Sequence, residues 1–350
     1  MTPRKRLLKA FNFEEVRPTP YTIWFDHQTM EKLNSYYGGT AWREHIEDHI
    51  LRIIVKWEPK EILGDGLYRD IHGSIWQSGE PAHIVKPALE LPSVRGFSIP
   101  DYIPFLRNSK TPSTTQHEQL PSLGYEDARR KIEAEKENRL VILQYGFGLF
   151  ECGWMMRGYE NLFVDLLEEP YFCHQLFDML LERHLQIVDA LLELPCDGII
   201  FVDDYGDQRG VIVGPELWRR FIAPRLSKLY ERVHRSGRLV FQHSCGNVFD
   251  IVPDLIACGL DVLQSLQPEA MPIYELKKLY GKDLRFWGGL GTQRLLPMGT
   301  PDEIRSEVRR LRREMGAGGG YCFSSSKPIM KDVPVENAAA FIEETLSCGF

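Results

Sequence analysis

The sequence predicts an α/β chain built as a (β/α)8 TIM barrel with an irregular N-terminal extension, and three observations carry that expectation. From about residue 139 onward, short apolar runs alternate with segments of helical periodicity. Those runs are near-continuously hydrophobic, as strands buried on both faces are, which implies a parallel sheet covered by helices. About eight strand candidates are present, a number that favours a closed barrel over an open sheet. No GxGxxG follows a strand and no phosphate-binding P-loop motif occurs, so dinucleotide and nucleoside triphosphate folds lose support.

Taken in order, Tyr21–Phe25 reads as a first strand and Tyr68–Gln77 as a hairpin or strand, within a region (1–138) less regular than the rest. Ser93–Ser122 is rich in Pro, Ser and Thr and reads as an extended loop. Leu140–Tyr145 and Gly198–Asp203 are buried-strand candidates, separated by helices over Glu160–Leu194 that break near Pro170. Pro215–Arg235 is predicted as one helix, with proline at its start and Leu217, Phe221, Leu226, Leu229 and Val233 along one stripe. Strand Leu239–His243, helix Val248–Cys258, strand Asp261–Gln264, helix Ile273–Tyr280 and strand Leu284–Gly288 follow. Thr300, Pro301 and Glu303 supply the cap, first-turn proline and capping-box glutamate of a helix running to Met315. Strand Tyr321–Ser324 and helix Val335–Leu346 complete a chain read as one domain over 1–350.

With 350 residues, 43% of them hydrophobic, the chain can bury a large core. A net charge of −7 offers no overall basic field, so neither nucleic acid nor an anionic membrane is an expected partner. Seven scattered cysteines (Cys152, Cys173, Cys196, Cys245, Cys258, Cys322, Cys348) argue against a disulfide framework and for a reducing compartment. No signal-peptide core and no run of about 20 apolar residues occurs, so a cytoplasmic location is expected.

The most informative stretch is Gln242-His243-Ser244-Cys245-Gly246, placed where an apolar strand ends. Residues two apart on an extended backbone project to the same side, and glycine lets the chain turn away at once. An imidazole and a thiolate held that way can share a borderline-soft cation, typically zinc; the plain alternative is a packed cysteine beside a hydrogen-bonded histidine. Barrel enzymes place their chemistry at the C-terminal ends of strands. There the sequence also sets Glu151, Asp203, Asp204, Gln208, Gln264, Trp287 and Lys327. Adjacent aspartates point to opposite faces, so at most one of Asp203 and Asp204 enters the mouth, as acid/base or cation ligand, while the other caps the following turn or pairs with a cation such as Arg209; the plain alternative is that both cap loops or make structural pairs. A third ligand must come from elsewhere, with Cys322 and Glu151 as the candidates. Gln208, Gln242 and Gln264 are candidates to hold a polar substrate, and Lys327 to hold an anionic group of one. Tyr21, Trp24, Phe25, Tyr145, Phe147, Tyr205 and Trp287 are available to line an apolar pocket, or simply to pack.

From Phe201-Val-Asp-Asp-Tyr-Gly-Asp-Gln208 through Pro215-Glu-Leu-Trp218, His243-Ser-Cys-Gly-Asn247, Trp287-Gly-Gly289 and Val333-Pro-Val-Glu-Asn337, the chain resembles the uroporphyrinogen decarboxylase superfamily. The likeness extends more weakly back to Gly146 and implies a TIM barrel. True porphyrinogen decarboxylases carry an N-terminal arginine-rich signature that grips the substrate carboxylates. This chain has Pro20-Tyr-Thr-Ile-Trp-Phe-Asp26 there, with no arginine, so that activity is not expected.

The other branch comprises zinc-dependent, corrinoid-linked methyltransferases. Its HxC pair corresponds to His243 and Cys245, but its later cysteine falls at Lys327, so either Cys322 or Glu151 completes the site or the chain has lost the usual metal geometry. The resemblance therefore implies zinc as cofactor, a corrinoid (cobalamin) protein as partner, and a small methylated substrate: a methyl ether such as a methoxyaromatic, an amine or a thiol. On that reading His243, Asp203 and Asp204 serve the chemistry, and Tyr21, Trp24, Tyr145, Tyr205, Gln208, Gln242, Gln264, Trp287 and Lys327 face the substrate. A metal-free lyase that decarboxylates a small acid through Asp203 or Asp204 is the alternative, and a non-catalytic barrel binding a tetrapyrrole-like ligand is a third.

Overall fold

The computed structural model describes residues 1–56, 59–79, 81–112 and 120–347. Cys348 and part of the loop read between Ser93 and Ser122 lie outside the described residues. Strands β1 (Ile50–Val55), β2 (Glu61–Gly64), β3 (Leu67–Arg69), β4 (Ile75–Gln77), β5 (His83–Lys86) and β6 (Ser122–Leu123) belong to the N-terminal part. Strands β7 (Leu140–Phe147), β8 (Gly198–Val202), β9 (Leu239–His243), β10 (Val262–Leu266), β11 (Arg285–Leu290) and β12 (Tyr321–Ser325) follow. β2 to β5 form a small antiparallel sheet, while the rest make a curled eight-stranded sheet in the order β12-β11-β10-β9-β8-β7-β1-β6. Every pairing in the large sheet is parallel, so the fold is α/β and TIM-barrel-like.

The segment predicted as a first strand lies against β12. Phe323 N–H donates to Pro20 O (2.8 Å), Thr22 N–H donates to Phe323 O (2.9 Å), and His49 N–H donates to Tyr21 O (3.0 Å). It thus reaches from β12 toward the residue that precedes β1, although only isolated bridges (Tyr21 to Phe323, Phe25 to Ile329) are formed.

Alternation sorts the strand side chains into two sets. Ile50, Leu140, Ile142, Ile200, Phe241, Val262, Trp287 and Cys322 form one cluster, sealed by Leu7 and Phe11 of the helix Pro3–Phe11. Their neighbours along each strand face the surrounding helices in a larger core. Each fully buried side chain of this size contributes roughly 1.5–3 kcal/mol of transfer free energy.

Several local differences from the sequence reading have simple causes. The helix predicted over Pro215–Arg235 is two, Pro215–Phe221 and Ala223–Arg235, because Pro224 has no N–H for the Arg220 carbonyl. The N-terminal region is more regular than expected: it holds β1, flanked by β6 and β7, and the helix His27–Tyr36. Within the Ser93–Ser122 segment a short helix spans Ile103–Arg107, opened by Pro104. The capping box is formed, with Thr300 N–H donating to Glu303 Oε2 (2.8 Å) and Glu303 N–H to Thr300 Oγ1 (3.3 Å).

Candidate metal centre

β9 ends at His243, and the chain runs extended just far enough to bring Cys245 to the same side. The Cys245 Sγ lies 3.5 Å from His243 Nε2, and Asp204 Oδ1 lies 3.6 Å from the same nitrogen. One ligand atom from each of Asp204, His243 and Cys245 falls within 4.8 Å of the others. Donors bonded tetrahedrally to zinc at about 2.0–2.3 Å stand about 3.3–3.8 Å apart, so both short spacings fit. Nitrogen, sulfur and carboxylate oxygen together suit zinc better than a hard cation.

The surroundings hold each donor in place. Gln264 stands opposite His243 in the β9–β10 register and sets its Oε1 2.5 Å from Nδ1. Nδ1 therefore carries the proton, and the Nε2 lone pair is left facing Cys245 and Asp204. Cys245 N–H donates to Asp204 Oδ1 (2.8 Å), which fixes the carboxylate. Gly246 follows at φ +75°, and a Cβ there would stand 2.3 Å from the Gly206 backbone. The loops after β8 and β9 thus pack backbone to backbone, which only glycine permits.

Burial lowers the His243 imidazole to about 4, with Asp204 opposing. It pushes the Cys245 thiol up to about 12; Asp204 adds to the rise, while the Lys327 ammonium, a hydrogen-bond neighbour of the sulfur, opposes it. A divalent ion among these donors supplies the charge that lets such a thiol release its proton.

The two aspartates part as opposite faces of an extended chain require. Asp203 turns away from the cluster and is 1% exposed. Its carboxylate accepts the N–H groups of Phe150 and Glu151 (both 2.9 Å), capping the helix Leu149–Arg157 whose own N-cap is Gly148. A Cβ at Gly148 would lie 2.4 Å from Asp203, so the glycine is what lets the carboxylate in. Burial raises the Asp203 carboxyl to about 7, opposed by those two amides.

Glu151 sits beside the pair, its carboxyl raised to about 9 by burial and by the charges of Asp203 and Asp204, with the Asp204 backbone N–H opposing. Its Oε2 is buried without a hydrogen-bond partner. Neither Glu151 nor Cys322 is among the three clustered donors. Cys322 is fully buried in the apolar layer with Trp287 and Phe241, where its thiol is held well above the usual range.

The predicted substrate contacts divide. Lys327 adjoins Cys245, and Trp24 and Trp287 line a small cavity with Thr22, Asp48 and Arg52. Gln208 is on the rim, hydrogen-bonded to Gln293 (3.2 Å). Gln264 orients the histidine. The others serve packing. Gln242 accepts the Tyr230 hydroxyl (2.7 Å) and donates to the His243 carbonyl (2.7 Å) from the outward face of β9. Tyr145 is hydrogen-bonded to His184 (2.9 Å) and Tyr205 packs edge-on to Trp218. Tyr21 packs at a tilt against His49, its hydroxyl accepting the Glu47 N–H (3.0 Å).

Sequence reasoning missed Arg52, which lies on β1. This guanidinium is 8% exposed, donates its Nε–H to Gln144 Oε1 (2.8 Å) and lies over the Trp24 ring. Burial lowers its pKa and the Cys245 thiol counteracts. The available signal was an arginine inside an otherwise apolar run, Ile50-Leu-Arg-Ile-Ile-Val55.

A family model described as uroporphyrinogen decarboxylase (URO-D) matches residues 128–346. The uroporphyrinogen decarboxylase of Pseudoalteromonas translucida is 25% identical over 180 residues, covering 50% of this chain and 48% of that protein. The methylated-thiol–coenzyme M methyltransferase of Methanosarcina mazei is 22% identical over 131 residues, 37% of this chain and 33% of that one. The chain thus spans about half or less of the length of these curated relatives. A solved methyltransferase from Methanosarcina mazei superposes with a TM-score of 0.69 at 18% identity, covering 99% of this chain and 98% of that one. That likeness is one of fold.

Proposed function

We propose that this chain, which belongs to the uroporphyrinogen decarboxylase family, is a zinc-dependent methyltransferase. It moves a methyl group between a small methylated compound and a corrinoid carried by a partner protein. The observation that carries this reading is the convergence of His243 Nε2, Cys245 Sγ and an Asp204 carboxylate oxygen within 4.8 Å. The likeness to the methylated-thiol–coenzyme M methyltransferase of Methanosarcina mazei lends further support. We read the segment 20–25 as the stave that closes an eight-fold barrel, because it is hydrogen-bonded both to β12 and to His49. The whole chain then acts as one catalytic unit, and the free cysteines among the described residues suit a reducing compartment.

When bound, zinc supplies Lewis acidity toward the heteroatom that bears or receives the methyl group. Asp204 takes the place of the cysteine that the resemblance puts at Lys327. The site is then one-sulfur, and the Lys327 ammonium lies beside that sulfur. Gln264 keeps the proton on Nδ1 so that Nε2 stays a donor. Glu151 lies beside Asp204 with one buried, unpartnered carboxyl oxygen, and is the group we assign to hand a proton to a departing alkoxide or phenoxide.

The decarboxylase alternative is weaker because Asp203 is committed to two helix amides and Asp204 to the Cys245 N–H. Methyl transfer from candidate ethers, amines and thiols to cobalt(I) cobalamin, followed by the corrinoid absorbance change, tests the reading. Transfer that depends on zinc and is lost in His243→Ala supports it. Decarboxylation of a small acid by metal-free protein, with no transfer from any donor, overturns it.

A further inference from the structure

Arg52 is the one charged side chain of β1, and it points into the curled sheet. Ile50, two residues before it, belongs to the inner apolar cluster, so strand alternation turns Arg52 the same way. Its register partner on β7 is Ile142, yet its Nε–H reaches Gln144 Oε1 (2.8 Å), two residues nearer the C-terminal end of that strand. The guanidinium therefore rises toward the rim where β9 ends in His243. Its charge is felt there, adding to the burial that lowers that imidazole.

A buried charge of this kind ordinarily has an opposite charge beside it. Arg52 is 8% exposed, and among the described residues the Cys245 thiol is the only ionisable group that acts on it. Gln144 engages Nε alone, while Nη1 and Nη2 make no hydrogen bond among the described residues. The Trp24 ring packs against the guanidinium, 5.9 Å from its centroid, and with Gln144 holds the group in one orientation. Desolvating a cation and leaving its best donors idle is costly unless something else takes them up.

Arg52 lines the small cavity it shares with Trp24, Trp287 and Asp48. At about 20 Å3, that space admits the end group of a ligand and not a whole one. Asp48, the one carboxylate of the lining, accepts the Ile23 N–H (2.7 Å) at Oδ1. A guanidinium offers donors only, in a fork that matches two oxygens of one oxyanion.

We propose that Arg52 is a specificity-determining residue, whose Nη1 and Nη2 take a carboxylate or sulfonate at one end of the molecule bound at the mouth. It lies outside residues 128–346, so the match to the family does not account for it. The subsite rests on the methyltransferase reading only for what happens at the metal; the anion contact stands by itself.

The test is titration of purified, zinc-loaded protein, without corrinoid, with propionate, ethanesulfonate and the uncharged propionamide. Tryptophan fluorescence reports binding, since Trp24 and Trp287 border the cavity. We expect the anions to bind at least tenfold more tightly than propionamide, the tighter of the two naming the head group. Arg52→Gln should weaken anion binding at least tenfold, Arg52→Lys should restore part of it, and both should keep stoichiometric zinc. Should Arg52→Gln fail to fold, Arg52→Lys decides: without the fork, anion binding falls severalfold and propionamide is unchanged. Equal binding of anions and amide, anion binding untouched in both variants, or zinc lost from Arg52→Gln overturns the proposal. Anion binding without methyl transfer from any donor would sink the methyltransferase reading and leave the subsite; zinc-dependent transfer with a KM that Arg52→Gln leaves unchanged would do the reverse.

Discussion

Gln264 faces His243 across the β9–β10 pairing, its Oε1 2.5 Å from Nδ1, and this one contact decides which imidazole nitrogen is available as a ligand. Its loss should leave the fold and free the ring to turn. Gln264→Leu is expected to weaken zinc binding about 10- to 100-fold, as loss of such orienting partners does. Competition against a chromogenic chelator measures it, and unchanged affinity would remove Gln264 from the site.

The ligand set makes a prediction that separates two cysteines. Cys245→Ser should lose stoichiometric zinc, and so should Asp204→Ala, because each removes one of three donors. Cys322→Ser should keep it, since that thiol lies in an apolar layer with Trp287 and Phe241. Metal analysis of the three purified variants settles the assignment; zinc lost with Cys322 alone would reverse it.

Asp203 is expected to act on stability rather than on metal content. Asp203→Ala strands the Phe150 and Glu151 amides at a buried helix start and should cost about 2–3 kcal/mol in denaturant unfolding. Gly148→Ala drives a Cβ to 2.4 Å from the same carboxylate and should destabilise comparably. A stable Asp203→Ala protein that retains zinc but loses activity would point instead to a direct role in the chemistry.

His184 supplies a pH dependence far from the metal. It is 1% exposed, hydrogen-bonded to the Tyr145 hydroxyl (2.9 Å), and burial lowers it to about 3, with His72 adding to the fall. The native state keeps it neutral, while the unfolded chain takes up a proton below about 6.5. Its contribution is therefore fully present above 6.5 and is lost as pH falls toward 3, at up to about 1.4 kcal/mol per unit. His184→Gln should flatten the acid limb of the Tm–pH curve relative to the unmodified protein; parallel curves would contradict this.

Much of the architecture was legible because buried parallel strands write themselves as apolar runs and helices as stripes. β1 was not, because Arg52 breaks the run Ile50–Val55 and no glycine or proline marks its ends. The His243–Cys245 pair was legible from strand alternation, which fixes what residues two apart share. Which of Asp203 and Asp204 joins them depends on how the chain leaves β8, where Gly148 admits only one carboxylate. Tyr145, Tyr205 and Gln242 were read as facing the mouth, yet their side chains meet helices outside the sheet. The docking of the small sheet β2–β5 on the helix Leu149–Arg157 depends on contacts about 80 residues apart in sequence, such as Ser74 to Met155, which no local pattern encodes.

The central claim is a metal held by one imidazole, one thiolate and one carboxylate. X-ray absorption at the zinc edge of the purified protein tests it most directly. We predict a single sulfur scatterer at about 2.3 Å with nitrogen and oxygen neighbours at about 2.0–2.2 Å, and no sulfur signal after Cys245→Ser. Two sulfur scatterers, or a zinc shell untouched by that substitution, would contradict it.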